Sequence, residues 1–250
     1  MVRLLLIIVT ALLCGCAGPV SAAPMHRMGP APMHLLRLSS SPVHDTALSL
    51  NWSGYAILGR VRSVHGTFTV PSCQGTGQVS EWVGVDGYNN QDLIQAGVDE
   101  IGGLGYCDVE AWWEILPAAS TPIAWFQVSV GDVVSVGIRR DAPASQFEGA
   151  QWEVSIFDHT TGRFFTQDFR YNGPATSGEW VVEAPTIFGN IPDVLPFTPV
   201  TWTNLGLDGH AGILSDVWLV QDGMLRALPS SVHSARQLME GGFTSTYVGD

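Results

Sequence analysis

Beyond Trp52 the chain keeps no helical period for long. Short runs alternate polar and apolar residues instead: GTFTV (66–70), SEWVGVDG (80–87), VEAWWEIL (109–116), IAWFQVSV (123–130), DVVSVGIR (132–139), QWEVSIFD (151–158), RFFTQDF (163–169), GEWVVEA (178–184) and ILSDVWLV (213–220). Turn pieces such as HTTGR and VGDV separate several of them. Strand side chains point to opposite faces in turn, so each run can bury one face only. Many such runs at steady spacing predict an all-β sandwich. The composition agrees: 28 Gly, 15 Pro and nine Trp with only 14% charged residues describe a turn-rich globular chain. Its 250 residues suffice for a sizeable core in one or two domains.

Charge narrows the function. The net charge is −12, and all eleven basic residues are Arg. Nucleic acid is excluded as a partner, because its binding rests on basic side chains. An acidic chain of this kind suits an acid medium, where carboxylates are partly neutralised.

The start, MVRLLLIIVTALLCGC, places Arg3 before an apolar run, and VSA (20–22) offers small residues for a signal peptidase. Residues 1–22 are read as a signal peptide cleaved after Ala22, giving a secreted protein. The alternative is lipid attachment at Cys16 in LCGC, which would anchor the chain at the outer face of the membrane. Residues 23–50 hold four Pro, three His and two Arg against one acid, Asp45, whereas the remainder has eight Arg against 22 acids, a net −14. A basic leader before an acidic body reads as a propeptide docking in cis on an acidic cleft, or as a linker. The sandwich domain is expected over 51–228 and an unassigned tail, a short helix or a loose end, over 229–250. Cys73 and Cys107 form an even pair, expected to close a loop of about 35 residues in an oxidising compartment. NWS (51–53) is a glycosylation sequon.

Parity sorts the side chains. Val83, Val85, Ile94, Ala96, Val98, Ala111, Trp113, Ile115, Trp180 and Val182 share the inward phase of their runs. The outward phase carries Asp86, Asp99, Glu110, Glu114, Glu179 and Glu183, with Trp82, Trp112 and Gln95. Like charges facing each other weaken a sheet, so a face of acids and aromatics without cations asks for a reason. Crowded carboxylates raise one another's pKa, which suits proton transfer below neutral pH. The plain alternative is an acidic surface on an acidic protein.

Other chemistries lack their residues. There is no HExxH, and His65, His159, His210 and His233 are scattered, so no zinc site is expected. No GxSxG elbow and no phosphate loop is present. A retaining glycosidase would need two carboxylates about 5 Å apart, which Glu110, Glu114 and Glu179 could supply, but it gives Gln95 no role. A non-catalytic lectin-like module would use the tryptophans alone.

NWSGYA (51–56), WVGVDG (82–87), LIQAGVD (93–99), EAWWEILP (110–117) and GEWVVEAP (178–185) follow one another in the order and spacing of the glutamic peptidases, the eqolisins. The resemblance covers roughly residues 51–221. It implies a lectin-like jelly-roll sandwich of two antiparallel sheets and a secreted, monomeric acid endopeptidase. It also implies a propeptide, polypeptide substrates, and a Gln/Glu dyad working without metal or cofactor. Matched motif by motif, the dyad is Gln95 and Glu179. Trp82, Asp86, Asp99, Glu110, Trp112, Glu114 and Glu183 are then expected to line the substrate site. Ala96 stands where fungal members commonly have Thr, and WWEILP lacks the family's second aromatic cluster.

Overall fold

The computed structural model describes residues 35–40, 44–145 and 149–249. The expected signal peptide, the Cys16 anchor and the leader up to residue 34 lie outside the described residues. The elements are β1 (Leu36–Ser40), β2 (His44–Ser49), β3 (Trp52–Thr69), β4 (Gly77–Val85), β5 (Ile94–Gly103), β6 (Tyr106–Ile115), β7 (Thr121–Pro122), β8 (Val133–Ser145), β9 (Gly149–Asp158), β10 (Phe164–Tyr171), β11 (Ser177–Glu183), β12 (Val200–Gln221), β13 (Met224–Pro229), α1 (Ala235–Gly241) and β14 (Phe243–Tyr247).

Two long strands make the sandwich. The first part of β3 pairs with β11, and its last seven residues pair with β8. β12 runs antiparallel to β3 along most of both. The front layer is ordered β1-β2-β12-β3-β11-β4-β5-β6-β7, and the back layer continues from β3 through β8 and β9 to β10. The bend needs room. Register shifts interrupt the β3–β12 ladder on either side of Gly209. Gly59 and Gly209 have φ of +149° and +147°, and a Cβ on either would lie 1.9 Å from a carbonyl oxygen of the other strand. Only glycine permits both the dihedral and that approach.

The inward phase read from the sequence forms the main core. Val83, Val85, Ile94, Ala96, Val98, Trp180 and Val182 of the front layer join Val136, Ile138, Val154, Ile156 and Trp202. Cys73 and Cys107 are joined by a disulfide, tying the approach to β4 onto β6. Of the two expectations for the tail, a short helix or a loose end, the structure has the helix: α1 is capped by Ser234 accepting from Gln237 N–H, and Val232, Leu238 and Phe243 seal the core beside it.

One expected strand is absent. Residues 123–130 alternate as a strand would, yet Phe126 N–H donates to Ile123 C=O at 2.8 Å and makes a turn. Ile123, Phe126 and Val128 are buried from this irregular backbone while Trp125 faces out. Alternation alone could not show that the segment leaves the sheet after Pro122. β12 is longer than expected, because its first half, with Gly206, Gly209 and Gly212, looks like loop in the sequence.

Candidate active site

The outward phase becomes one face of the front layer, and strand pairing arranges it in rows. In the first row Ser215, Ala56, Glu179, Gly84, Gln95 and Glu114 stand opposite one another across six strands. In the second are Val217, Gly54, Val181, Trp82, Gly97 and Trp112. The third runs Trp52, Glu183, Ser80, Asp99 and Glu110. Gln95 and Glu179 are therefore in register with one strand between them, roughly 10 Å from backbone to backbone. The residue between is Gly84. A Cβ there would lie 2.7 Å from Cζ3 of Trp82 and 3.0 Å from Cδ1 of Leu93. The missing side chain is what lets these two groups lie over the middle of the row.

This face is covered. Trp52, Ala56, Trp82, Tyr88, Leu93, Trp112, Val181 and Val217 form a second apolar cluster, with Leu35, Leu58 and Leu116 packed against it. Trp52 meets Trp82 edge to face at 4.9 Å. Tyr88, from the β4–β5 loop, shares a 2.7 Å hydrogen bond with Ser215 at the end of the first row. Gln95 is 2% exposed and Glu179 0%. The sequence placed these side chains on the right face but gave no sign that the β4–β5 loop folds back over them.

The polar groups under this cover are specific. Trp82 Nε1 donates to Oε2 of Glu183 at 2.7 Å, and Asn51 Nδ2 donates to its Oε1 at 3.1 Å. Asn51, the sequon asparagine, is buried and engaged, so the folded protein offers it to no glycan. Ser80 donates to Asp99, and Gln95 Nε2 donates to Glu114. Glu110 closes the third row opposite Asp99 and is only partly buried. Neither carboxylate oxygen of Glu179 has a hydrogen-bond partner among the described residues. Burial pushes its pKa well above the ordinary carboxylate value; Ser177 nearby opposes the rise and the charge of Asp86 adds to it.

Asp86 departs from the expected substrate contact. Its φ is +70°, because β4 ends at Val85 and the chain turns there. Its carboxylate accepts from Tyr171 Oη (2.7 Å), Ala175 N (2.8 Å), Thr176 N (2.8 Å), Asn90 Nδ2 (2.9 Å) and Thr176 Oγ1 (3.2 Å). Five donors saturate it and leave nothing for a substrate. Asp86 clamps the β4–β5 loop to the β10–β11 turn.

Sequence reasoning missed several residues here. Trp52 and Ser80 share the phase of Trp82 and could have been found by extending parity. Tyr88, Leu93 and Ser215 reach the site through loop course and strand pairing, which no local pattern records. Glu81 and Glu100 were also missed. Both are fully buried on the core side of β4 and β5, in diagonal positions, with Glu81 opposite Val98 and Glu100 opposite Val79. Their phase matches Val83 and Val98, so parity did carry the signal of two acids pointing inward.

A sequence profile of the peptidase A4 family matches residues 50–221, well over half of the chain. The chain belongs to this family. The glutamic peptidases of known structure share its fold. Scytalido-glutamic peptidase, solved with a peptide-based transition-state analogue, superposes with a TM-score of 0.65 at 20% identity, covering 79% of this chain and 98% of that one. SCP-B, an eqolisin solved with the tripeptide Ala-Ile-His, gives 0.61 at 20% identity over 79% and 98%. Aspergilloglutamic peptidase from Aspergillus niger gives 0.55 at 24% identity over 69% and 99%. No curated protein matches. As a member of this peptidase family the chain is a hydrolase of peptide bonds.

Proposed function

We propose that the protein is a secreted, monomeric acid endopeptidase in which Glu179 activates water and Gln95 stabilises the oxyanion. The observation that carries this reading is the first row, in which the two side chains flank Gly84 on one buried face. As a carboxylate, Glu179 takes a proton from a water, whose oxygen adds to the scissile carbonyl carbon. The carbonyl oxygen becomes an oxyanion and receives an N–H from Gln95, an uncharged donor among groups that accept or titrate. Glu179, now protonated, passes its proton to the leaving nitrogen as the C–N bond breaks. One group serves as base and then acid, and neither step needs a metal or a cofactor. Burial under the cover favours the protonated form of Glu179, and water entering with the substrate offsets part of that burial.

Denatured casein should be cleaved at pH 3–4, with the rate unchanged by chelators and pepstatin, while a polysaccharide panel is left intact. Hydrolysis of the polysaccharides, or casein cleavage abolished by chelators, would refute the assignment.

We further propose that the leader acts as a propeptide in cis. β2 adds parallel to the edge of β12, setting Asp45 beside Ser215 at the end of the first row. Leu35 packs on the tryptophan cluster over the dyad. Arg37 lies 3.8 Å from the buried Asp45. N-terminal sequencing of the active enzyme should give a start near Asn51. A fully active enzyme that begins near Ala23 would contradict this role.

A further inference from the structure

The side-chain hydrogen bond of Gln95 goes not to its dyad partner but to Glu114. The two stand directly opposite on β5 and β6, both buried, at 2% and 3% exposure. Nε2 of Gln95 donates to Oε2 of Glu114, and Oε1 of Gln95 has no partner among the described residues. A primary amide has a donating end and an accepting end, related by a half-turn about χ3. A carboxylate can only accept, so it selects the orientation that turns Nε2 toward it. The second Nε2 proton and Oε1 are then not taken up by Glu114.

We propose that Glu114 is a positioning residue rather than a substrate contact: it holds the Gln95 amide in the one orientation that presents an N–H to the oxyanion. The inference rests on the dyad reading above. Without Glu114 the amide can turn its carbonyl oxygen toward the developing negative charge, which repels it. Binding of the ground-state peptide changes little, because the orientation matters when charge develops.

Three variants of the full-length, naturally processed enzyme test this by kcat and KM on one peptide substrate. Glu114→Gln keeps the shape but carries an amide that can turn either its donor or its acceptor toward Gln95, so it no longer selects one orientation. Glu114→Leu fills the space without an acceptor, and Glu114→Asp withdraws the acceptor by one methylene. In each of the three variants kcat should fall roughly 10- to 100-fold with KM within about twofold. In a Gln95→Ala background, replacing Glu114 by Gln, Asp or Leu should cost nothing further, since there is no amide left to orient. Full activity of Glu114→Gln would overturn the proposal by showing that no acceptor-only group is needed there, as would a loss confined to KM. Full activity of Glu114→Asp, or losses that add to that of Gln95→Ala, would overturn it equally. The Asp and Gln variants settle the matter if Glu114→Leu does not fold. Should Glu179→Gln and Gln95→Ala keep full activity, the dyad itself fails; should those two lose activity while every Glu114 variant behaves as wild type, only the positioning role fails.

Discussion

Replacing Glu179 by Gln should lower kcat by roughly four orders of magnitude and at the same time raise the melting temperature at neutral pH. Glutamine has nearly the same shape as glutamate but can neither take the proton from water nor return it to the leaving nitrogen. Both halves of the reaction lose their proton carrier, so the effect exceeds that of removing one hydrogen bond. Gln95→Ala removes only the proposed oxyanion donor and should cost about 10²- to 10³-fold. The stability change separates chemistry from misfolding. Glu179 is fully buried, and neither of its oxygens has a hydrogen-bond partner among the described residues, so ionising it in the fold is costly. An uncharged isostere escapes that cost at any pH. Kinetics on a single peptide substrate with thermal melts at pH 7 check both halves. Wild-type rates in purified Glu179→Gln and Gln95→Ala would sink the dyad.

How much of this could be read from the chain follows from what a strand encodes locally. Parity is a local property, so it sorted Gln95, Glu179, Trp82, Trp112, Asp99, Glu114 and Glu183 onto one face, where the structure has them. The register between strands is not local. Nothing in LIQAGVD or GEWVVEA says that Gln95 and Glu179 share a row separated by Gly84; the motif order of a known family supplied the pairing. Asp86 failed because it follows the last residue of its strand, where a positive φ ends the alternation. The run 123–130 failed for a related reason: its side chains alternate but its backbone turns. The cover over the site was illegible, since Tyr88 reaches Ser215 across 127 positions of sequence.

The second large effect lies on the other side of the same strands. Glu81 and Glu100 face the core from neighbouring positions on β4 and β5 and are fully buried. None of their four carboxyl oxygens has an outside partner among the described residues, and a proton held between the two carboxyls satisfies both. Burial is the main cause that pushes Glu81 up to about 8, and burial with the charge of Glu81 raises Glu100 well above its ordinary value. Asp99 raises both further. A group with a raised pKa binds its proton more tightly folded than unfolded. The stability it contributes is complete below its unfolded pKa, near 4.5, and drains away as pH rises toward 8. Glu179 acts in the same direction. The melting temperature should therefore fall between pH 4.5 and pH 8, by about 10 °C or more. Glu81→Gln with Glu100→Gln should flatten that fall: little change at pH 4, and a clear gain in melting temperature at pH 7.5. Peptidase activity at pH 4 should survive in this double variant, because neither side chain reaches the face that carries Gln95. A wild-type melting temperature that is level or climbs across this window would contradict the account, as would a double variant that follows the wild-type curve. The same pair makes the fold suited to acid: it keeps two carboxyls in the core on condition that the medium supplies their protons.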